Sequence, residues 1–277
     1  MNYQQLLAEM QQALEGFDAA ELEAQWLLAH ALCRDRAWLY AHGEDEITDP
    51  LLRNETRALT NRRCQGEPLA YILGHQEFWS LRLSVTPDVL IPRADTETLV
   101  EVALAYLPSS DAQTVLELGT GSGAISLALA SERPLLHIIA TDHSPKALAV
   151  AQQNAHALGL AERIEFCQGN WFAPITGRRF DLIISNPPYI AGDDPHWPSL
   201  RHEPQMALHS EAEGYADLFT IIDAATKHLN EGGLLILEHG WNQAVAVQER
   251  MTRAGFQQVS SRQDLAGHLR CTLGYWI

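Results

Sequence analysis

The chain has 277 residues, more than the roughly 100–200 of a usual domain, so two domains are expected. With 46% hydrophobic and 19% charged residues, it has the composition of a globular protein with a sizeable core. Its 19 basic and 35 acidic residues give a formal net charge of -16, which disfavours a long nucleic acid as partner, because binding to phosphates depends on Lys and Arg.

Cysteine spacing and hydropathy bear on where the protein works. The cysteines lie far apart with no C-x-x-C pair, which favours reduced thiols in the cytoplasm; they are Cys33, Cys64, Cys167 and Cys271. No opening stretch joins basic residues to an apolar run, and no apolar run reaches the ~18 residues that span a membrane. A cytoplasmic protein without a membrane partner is expected. No H-E-x-x-H or comparable spacing predicts a metal site.

Residues 1–75 have the apolar spacing of amphipathic helices. Leu6, Met10 and Leu14 recur at helical intervals, and a similar pattern continues through Trp26. Thr48-Asp49-Pro50 predicts another helix start, because a capping side chain followed by proline suits a first turn. A small helical bundle that serves recognition or scaffolding is therefore expected.

An extended stretch follows over residues 76–92. Its apolar residues, among them Phe78, Leu83 and Val89, suggest strands, and Thr86-Pro87-Asp88 is predicted as the turn between them. We therefore expect a β-hairpin that links the helical bundle to a second domain over residues 93–277.

In that second domain, predicted helices and strands alternate after a helix over residues 96–107. Strands are predicted at Thr114–Leu118, His137–Thr141, Arg163–Cys167, Phe180–Ser185, Gly233–Leu237, Gln257–Ser261 and Leu269–Tyr275. Helices are predicted up to Leu129, over Ser144–Leu158, over Leu218–Leu229 and up to Ala254. Alternation indicates an α/β fold with a parallel sheet and helices on both faces. The last two strands have no helix between them, so they are expected to form an antiparallel hairpin at one edge.

A glycine-rich turn follows the first of these strands. Gly119-Thr120-Gly121-Ser122-Gly123 has the spacing G-x-G-x-G, one residue shorter than the dinucleotide fingerprint. Glycines allow a sharp turn and the close approach of a ligand. In an α/β sheet this turn lies at the carboxyl edge, where ligands bind.

Two further elements support a nucleoside site. Asp142 follows the second strand, 19 residues after Gly123, where a carboxylate can accept hydrogen bonds from both ribose hydroxyls of an adenosine. Asn170 and Trp171 follow the third strand and are expected to line the adenine pocket. Together, the three elements disfavour ordinary strand-to-helix turns beside a stray aspartate.

The fourth strand leads directly into Asn186-Pro187-Pro188-Tyr189. Two prolines make this turn stiff, and the first biases Asn186 to an extended conformation. The turn holds an amide oxygen, a proline carbonyl and an aromatic ring in fixed relation. Two acceptors and a ring are what is needed to position a planar NH₂ group, on a nucleic-acid base or on an amide.

With these features the chain resembles the class I S-adenosylmethionine-dependent methyltransferases that carry (D/N/S)-P-P-(Y/F/W), and within them the protein-glutamine methyltransferases of the PrmC/HemK group. The resemblance covers nearly the whole chain. It includes Gly66-Glu67-Pro68, Gly74, Glu77-Phe78-Trp79, Ile91-Pro92-Arg93, Asp95-Thr96-Glu97, Gly119–Gly123, Asn186–Tyr189 and Glu203-Pro204. Two positions depart from the family pattern. Ala94 stands where proline is usual, and Asn170 stands where an acid is common, although its oxygen can accept the same hydrogen bond.

The resemblance implies a Rossmann-like seven-stranded sheet with an inserted last strand, preceded by a helical domain that helps to hold the substrate. It implies S-adenosyl-L-methionine as cofactor, contacted by Gly119, Thr120, Gly121, Ser122, Gly123, Asp142, Asn170, Trp171 and Asn186. The implied substrate is the glutamine of the Gly-Gly-Gln motif in class I peptide chain release factors, bound by Asn186, Pro187, Pro188 and Tyr189. A monomer without direct nucleic-acid contact is expected.

The chemistry expected of Asn186–Tyr189 is positioning. The Asn186 oxygen and the Pro187 carbonyl would accept the two amide hydrogens and stabilise the positive charge that develops on nitrogen. Tyr189 would stack on the amide plane. No strong general base is required, because an N-protonated methylamide is very acidic.

Three alternatives share parts of this pattern. A sister glutamine methyltransferase acting on a large-subunit ribosomal protein would carry the same motifs. An exocyclic-amino methyltransferase of nucleic acid is disfavoured by the acidic charge, and a non-catalytic binding module is disfavoured by the two intact motifs. Arg201 and Glu203 are candidates for substrate contact, whereas Glu238-His239 is expected to be a structural pair.

Overall fold

The chain divides into two units, Met1–His75 and Gln76–Ile277, in a computed structural model that describes residues 1–277. The first unit contains α1 (Tyr3–Ala13), α2 (Ala20–Ala31), α3 (Arg36–His42), α4 (Leu52–Cys64) and α5 (Leu69–Leu73). Helix α1 begins with a capping box. The Asn2 side chain accepts from the Gln5 backbone amide at 2.8 Å, and the Gln5 side chain accepts from the Asn2 backbone amide at 3.1 Å. The helical stripe that includes Leu6 and Met10 is buried in this unit's own core.

The predicted start of α4 is displaced by two residues. Asp49 accepts a bond from the Leu51 amide at 2.8 Å, and the helix begins only at Leu52. Asp49 therefore closes a turn before the helix instead of capping it, and Pro50 lies outside the first helical turn.

The hairpin is shorter than predicted, and its turn lies elsewhere. Strands β1 (His75–Phe78) and β2 (Leu81–Ser84) are joined by Trp79 and Ser80, whose φ angles are 51° and 59°. Two left-handed residues suit the twist of a two-residue hairpin. The Trp79 amide donates to Glu97 at 2.7 Å and stabilises the turn. The predicted turn at Thr86-Pro87-Asp88 is present, and the Val89 amide donates to the Thr86 carbonyl at 3.1 Å. It joins no strands, however, because the apolar residues beyond β2 are buried in an irregular segment.

The second unit is built on a seven-stranded sheet. Its remaining strands are β3 (Thr114–Leu118), β4 (His137–Asp142), β5 (Ile164–Gln168), β6 (Phe180–Ser185), β7 (Leu229–Glu238), β8 (Gln257–Gln263) and β9 (Leu269–Trp276). Its helices are α6 (Glu97–Tyr106), α7 (Ala124–Glu132), α8 (Pro145–Ala157), α9 (Trp197–Leu200), α10 (Glu211–Gly214), α11 (Ala216–Ala225) and α12 (Ala244–Arg253). No helix in the chain is long and apolar enough to cross a membrane.

The strand order is β5-β4-β3-β6-β7-β9-β8. The first five strands are parallel, and β9 is inserted antiparallel between β7 and β8. This confirms the α/β methyltransferase fold with its inserted last strand and terminal hairpin. Apolar side chains leave β3 on alternate faces, so that Val115 packs in one core cluster and Leu116 in the other.

One boundary was wrong: helix α11 ends at Ala225, and β7 already begins at Leu229, where a helix had been predicted. Leu229 pairs with Phe180, and the register shifts before Leu182. Gly232, at φ 80°, allows the irregularity. A single buried leucine fits either periodicity, so its pairing with β6 decides the structure.

The strand order determines which edge of the sheet can hold a functional site. The chain runs outward from β3 to β5 and then returns to form β6 beside β3. At such a switch point, the loops after two adjacent parallel strands part and leave a crevice at their carboxyl ends.

Candidate active site

A cavity of about 660 Å³ lies at this switch point, within the second unit. Its volume is in the range of small-molecule sites, about 300–1,000 Å³. The predicted residues that line it are Gly119, Thr120, Gly121, Ser122, Asp142, Asn170, Trp171, Asn186 and Pro188. The ends of four neighbouring strands thus bring most of the predicted site together.

The glycine-rich turn forms one wall of the cavity. Gly119 and Gly121 have φ angles of 72° and 55°, in the left-handed region that glycine adopts without strain. The amides of Gly119 and Thr120 both donate to the Thr141 carbonyl, at 2.9 and 3.0 Å. The turn is therefore tied to the end of β4 and leaves its open side to a ligand.

Gly123 has a different position from the other turn glycines. It does not line the cavity but caps α7, at φ 85°. A Cβ at this position would lie 3.1 Å from Leu127 Cδ1 and 3.3 Å from Ala151 Cβ. Gly123 thus allows α7 and α8 to pack closely, and its cofactor contact stays a prediction.

Asp142 presents its carboxylate at the mouth of the turn. One oxygen accepts a bond from the Gly121 amide at 2.9 Å and the other from the Ser144 amide at 2.8 Å. Burial raises the pKa of Asp142, although these two bonds favour the ionised form. Each carboxylate oxygen has further lone pairs, so Asp142 can also accept bonds from a ligand's hydroxyls.

Glu117 is a site residue that sequence reasoning missed. Its buried carboxyl accepts bonds from the Thr120 hydroxyl at 2.7 Å, the Ser126 amide at 3.1 Å and the Ser126 hydroxyl. Burial raises the pKa of Glu117 to about 7. Glu117 ties the glycine-rich turn to α7 at the bottom of the cavity. An acid inside an otherwise apolar strand was the available signal.

The opposite wall holds the predicted aromatic element. Trp171 has a left-handed backbone, at φ 45°, and a Cβ on Gly119 would lie 3.6 Å from its ring. Asn170 lines the same wall. A flat ligand such as a purine fits between an aromatic ring, an amide and a glycine turn.

The acceptor turn, Asn186–Tyr189, closes the far end of the cavity. Ser185 anchors its start by donating to the Leu118 carbonyl at 2.7 Å. Asn186 donates through Nδ2 to Thr96 Oγ1 at 3.2 Å. Tyr189 donates through its hydroxyl to Glu238 Oε1 at 3.1 Å. Both ends of the turn are therefore held by side chains from other elements.

Not every residue of the acceptor turn faces the cavity. Asn186 and Pro188 line it, whereas Pro187 is buried and Tyr189 packs against the core cluster of α11 and β7. The roles assigned to the Pro187 carbonyl and the Tyr189 ring stay predictions.

The structural role predicted for the Glu238-His239 pair fits only His239. His239 is buried and bonds through Nε2 to Thr272 Oγ1 at 2.7 Å, and burial lowers its pKa. Glu238 instead contacts the acceptor turn. The contact forms because β7 lies beside β6 and brings Glu238 within hydrogen-bond distance of Tyr189.

Glu203, expected as a substrate contact, is bound within the chain. Its carboxylate accepts a bond from the Ile91 amide at 3.2 Å and pairs with the Arg93 guanidinium. Pro204 and Met206 follow it and line the cavity. Glu203 thus connects the segment that contains Pro204 and Met206 to the residues before α6.

Gly214, which the sequence did not single out, supports the acceptor turn from behind. It has a φ of 87°, and a Cβ there would collide with the Tyr189 carbonyl and lie 2.9 Å from Gln243 Nε2. We expect Gly214→Ala to lower the free energy of unfolding by about 1–3 kcal/mol through overpacking and backbone strain, measured by chemical denaturation. Gly159→Ala is the matched control, since Gly159 has a φ of 70° with no atom within 4 Å of its Cβ position. Equal losses in the two variants would contradict a close contact at Gly214.

No group of three or more His, Cys, Asp or Glu side chains is placed to hold a metal ion. The polar side chains that line the cavity are carboxyls, hydroxyls and amides such as those of Asn170 and Asn186, together with Arg93, His143 and His209. Such groups suit a nucleoside and a neutral amide.

Comparison with known proteins adds the family context. The Methyltransferase small domain matches residues 94–201, and the PrmC N-terminal domain matches residues 5–74. Release factor glutamine methyltransferase of Yersinia pestis is 48% identical over 279 residues, 100% of this chain and 99% of that protein. The protein of the same name from Aliivibrio fischeri is 46% identical over 95% of this chain and 93% of its own length. That from Escherichia coli is 44% identical over 99% of both chains.

Solved structures support the fold. A methyltransferase from Pyrococcus furiosus matches with a TM-score of 0.55 at 17% identity, covering 80% of this chain and 98% of that one. A 16S rRNA N2 G1207 methyltransferase of T. thermophilus, in complex with AdoMet and guanosine, matches with a TM-score of 0.54 at 17% identity. It covers 73% of this chain and 49% of that one.

Proposed function

The chain belongs to the release factor glutamine methyltransferase family, and on this premise we propose its reaction and its substrate. It transfers the methyl group of S-adenosyl-L-methionine to the side-chain amide nitrogen, N5, of a glutamine. That glutamine is the one in the Gly-Gly-Gln motif of class I peptide chain release factors. The observation that carries the proposal is the single cavity that joins the glycine-rich turn to the acceptor turn.

The cofactor fits the wall formed by the ends of β3, β4 and β5. Asp142 would accept bonds from the ribose hydroxyls, and Asn170 and Trp171 would enclose the adenine. The left-handed glycines at 119 and 121 leave room where a Cβ would otherwise project. When bound, S-adenosyl-L-methionine supplies an electrophilic methyl group on a sulfonium.

The acceptor turn would orient the glutamine amide. An amide nitrogen is a poor nucleophile because its lone pair is delocalised into the carbonyl. Asn186 Oδ1 and the Pro187 carbonyl would accept its two hydrogens and fix the direction of attack. Orientation of this kind can contribute roughly 7–11 kcal/mol toward a barrier. The same two acceptors would stabilise the positive charge that develops as the new carbon–nitrogen bond forms.

Methyl transfer to the amide requires no strong base from the turn. Tyr189, held through its hydroxyl by Glu238, would offer its ring to the amide plane. The extra proton on the methylated nitrogen is lost to water, because an N-protonated amide is very acidic. The acid found beside the turn, Glu238, therefore need not take a proton from the substrate.

We propose that the first unit, Met1–His75, recognises the release factor, and that the enzyme works as a monomer in the cytoplasm, where release factors act. The match of residues 5–74 to the PrmC N-terminal domain supports a family-specific role for this unit. Its charged surface includes paired ions such as Arg53 with Glu9, 3.1 Å apart.

Mass spectrometry of a release factor after incubation with this protein and cofactor tests the substrate. We expect the motif glutamine to gain the mass of one methyl group, and fragmentation to place it on the side-chain nitrogen. A release factor whose motif glutamine is replaced by alanine should gain nothing. Methylation only of a large-subunit ribosomal protein, or only of RNA, would contradict the proposed substrate.

A further inference from the structure

Gln243 is the N-cap residue of α12 and is only 4% exposed. Its Oε1 accepts a bond from the Gly240 amide at 2.8 Å. Its Nε2 donates to the carbonyls of Tyr189 and Gly214, both at 3.3 Å. A backbone amide can only donate and a carbonyl can only accept, so these three partners fix the orientation of the Gln243 amide group.

One of these partners belongs to a strained segment. Residues Ala212–Gly214 have successive φ angles of 52°, 59° and 87°, and only the last of them is a glycine. Left-handed backbone is unfavourable for other residues and persists only where surrounding contacts impose it. The Ser210 amide donates to the carbonyl of Ile190, the residue after the acceptor turn, at 3.0 Å. The strained segment is thus held against the acceptor turn by Ser210 before it and by Gln243 at its end.

The NH₂ group of Gln243 serves two carbonyls that lie close together. The backbones of Tyr189 and Gly214 approach so closely that a Cβ on Gly214 would collide with the Tyr189 carbonyl. Two carbonyl oxygens are both acceptors and cannot bond to each other, whereas the NH₂ group has one hydrogen for each. Without this NH₂ group the two oxygens would lose a shared donor, which favours a shift of the Tyr189 backbone away from Gly214.

Tyr189 is therefore held at two points. Gln243 binds its carbonyl, and Glu238 Oε1 accepts a bond from its hydroxyl at 3.1 Å. A tyrosine that is bound both at its backbone and at the tip of its side chain has little freedom to tilt its ring. Loss of either contact would let the ring move relative to the rest of the acceptor turn.

We propose that Gln243 is a positioning residue for methyl transfer, which fixes the Tyr189 carbonyl and so places the Tyr189 ring. This inference rests on the proposed function, which assigns that ring to the plane of the substrate amide. Gln243 is not among the residues that line the cavity, so it acts only through the turn. Its effect should appear in the rate of transfer and not in the affinity for the cofactor.

Gln243→Met tests the inference with little change in shape, because methionine is similar in length but offers no NH₂ donor. We expect kcat for methylation of the release factor to fall by about 10–100-fold, as for a small misplacement of a reacting group. The Kd for cofactor, measured by calorimetric titration, should stay near wild type. Gln248→Met is the matched control. Gln248 lies on the same helix and donates through Nε2 to Ser261 Oγ at 2.6 Å, so this variant also loses a side-chain bond but should keep kcat.

Gln243→Glu separates the donated bonds from the accepted one. A glutamate keeps an oxygen for the Gly240 amide, but its carboxylate has no hydrogen for the two carbonyls, and even its protonated form has only one. We therefore expect kcat to fall in this variant as well. A kcat near wild type would assign the role of Gln243 to its Gly240 bond and overturn the inference.

A double variant gives a measurement that general destabilisation would not imitate. Tyr189→Ala removes the ring that Gln243 is proposed to place. If Gln243 acts through that ring, adding Gln243→Met to Tyr189→Ala should cause little further loss of kcat. Independent effects of the two substitutions would multiply instead.

The outcomes separate the inference from the proposed function. A wild-type protein that transfers no methyl to the release factor would contradict the proposed function itself. An active wild type with unchanged kcat in Gln243→Met would overturn only the positioning role. Multiplying losses in the double variant, or cofactor affinity that falls in step with kcat, would also overturn it. Failure of both Gln243 variants to fold would do the same, because the amide would then serve the fold.

Discussion

Asn186→Ala is expected to lower kcat for methyl transfer by about 10²–10³-fold, the usual cost of removing one preorganised hydrogen-bonding group that acts on the transition state. The substitution removes Oδ1, which would accept a substrate amide hydrogen, and the Nδ2 bond to Thr96. Most of the cofactor affinity should persist, because Asp142, Asn170 and the glycine-rich turn are unchanged.

Single-turnover kinetics with a labelled methyl group measures the Asn186→Ala effect on chemistry, and calorimetric titration measures the cofactor affinity separately. Asn54→Ala is a suitable control, since Asn54 is an exposed asparagine in α4 of the first unit. Near-normal turnover in Asn186→Ala would contradict the role of the acceptor turn. A loss of cofactor affinity as large as the loss of kcat would move Asn186 from substrate positioning to cofactor binding.

Asp142→Ala is expected to raise the Kd for S-adenosyl-L-methionine about 100-fold. Hydrogen bonds to a charged group contribute about 1.5–3 kcal/mol each, and the carboxylate would accept bonds from both ribose hydroxyls. A loss of about 3 kcal/mol corresponds to that factor in Kd. The effect on the KM for the release factor should be small, because Asp142 lies at the cofactor end of the cavity.

Asp142 also holds the Gly121 and Ser144 amides, so part of its effect could come from a loosened turn. Ser144→Ala loosens the start of α8 by another route and leaves both backbone amides bound to Asp142, so it controls for loosening of this segment. It removes the cap of α8, in which Ser144 Oγ accepts from the Ala147 amide at 3.2 Å, but keeps the carboxylate. We expect Ser144→Ala to bind the cofactor nearly as well as wild type. Equal losses in the two variants would contradict a ribose contact by Asp142.

Much of the fold could be predicted because the periodicity of apolar residues is a local property. Each strand from β3 to β6 is a short apolar run beside a polar or glycine-containing loop, and the predicted bounds agree with the structure within one residue. The missing helix between β8 and β9 was enough to predict the antiparallel hairpin at the edge.

The errors occurred where a tertiary contact overrides a local signal. Trp79 and Ser80 form the hairpin turn, although neither is the glycine or asparagine that such turns favour. The bond from the Trp79 amide to Glu97, 18 residues away, stabilises the turn. Leu229 belongs to a strand because it pairs with Phe180 across the sheet. Local residue propensities give no information about either distant partner, Glu97 or Phe180.

The sequence by itself determined the class of fold and the family, and it predicted the chemistry of the site. Glycines at left-handed positions, an aspartate after a strand and a stiff proline turn are short segments whose predicted function follows from their own backbone and side chains. Tertiary structure alone decided how these segments are held. Thr96 meets Asn186 across 90 residues, and Glu238 meets Tyr189 across 49. These contacts arise because β6 and β7 are neighbours in the sheet and because Thr96 lines the same cavity as Asn186. Hydrogen-bond direction depends on which donors and acceptors face each other in space, and no local pattern encodes that.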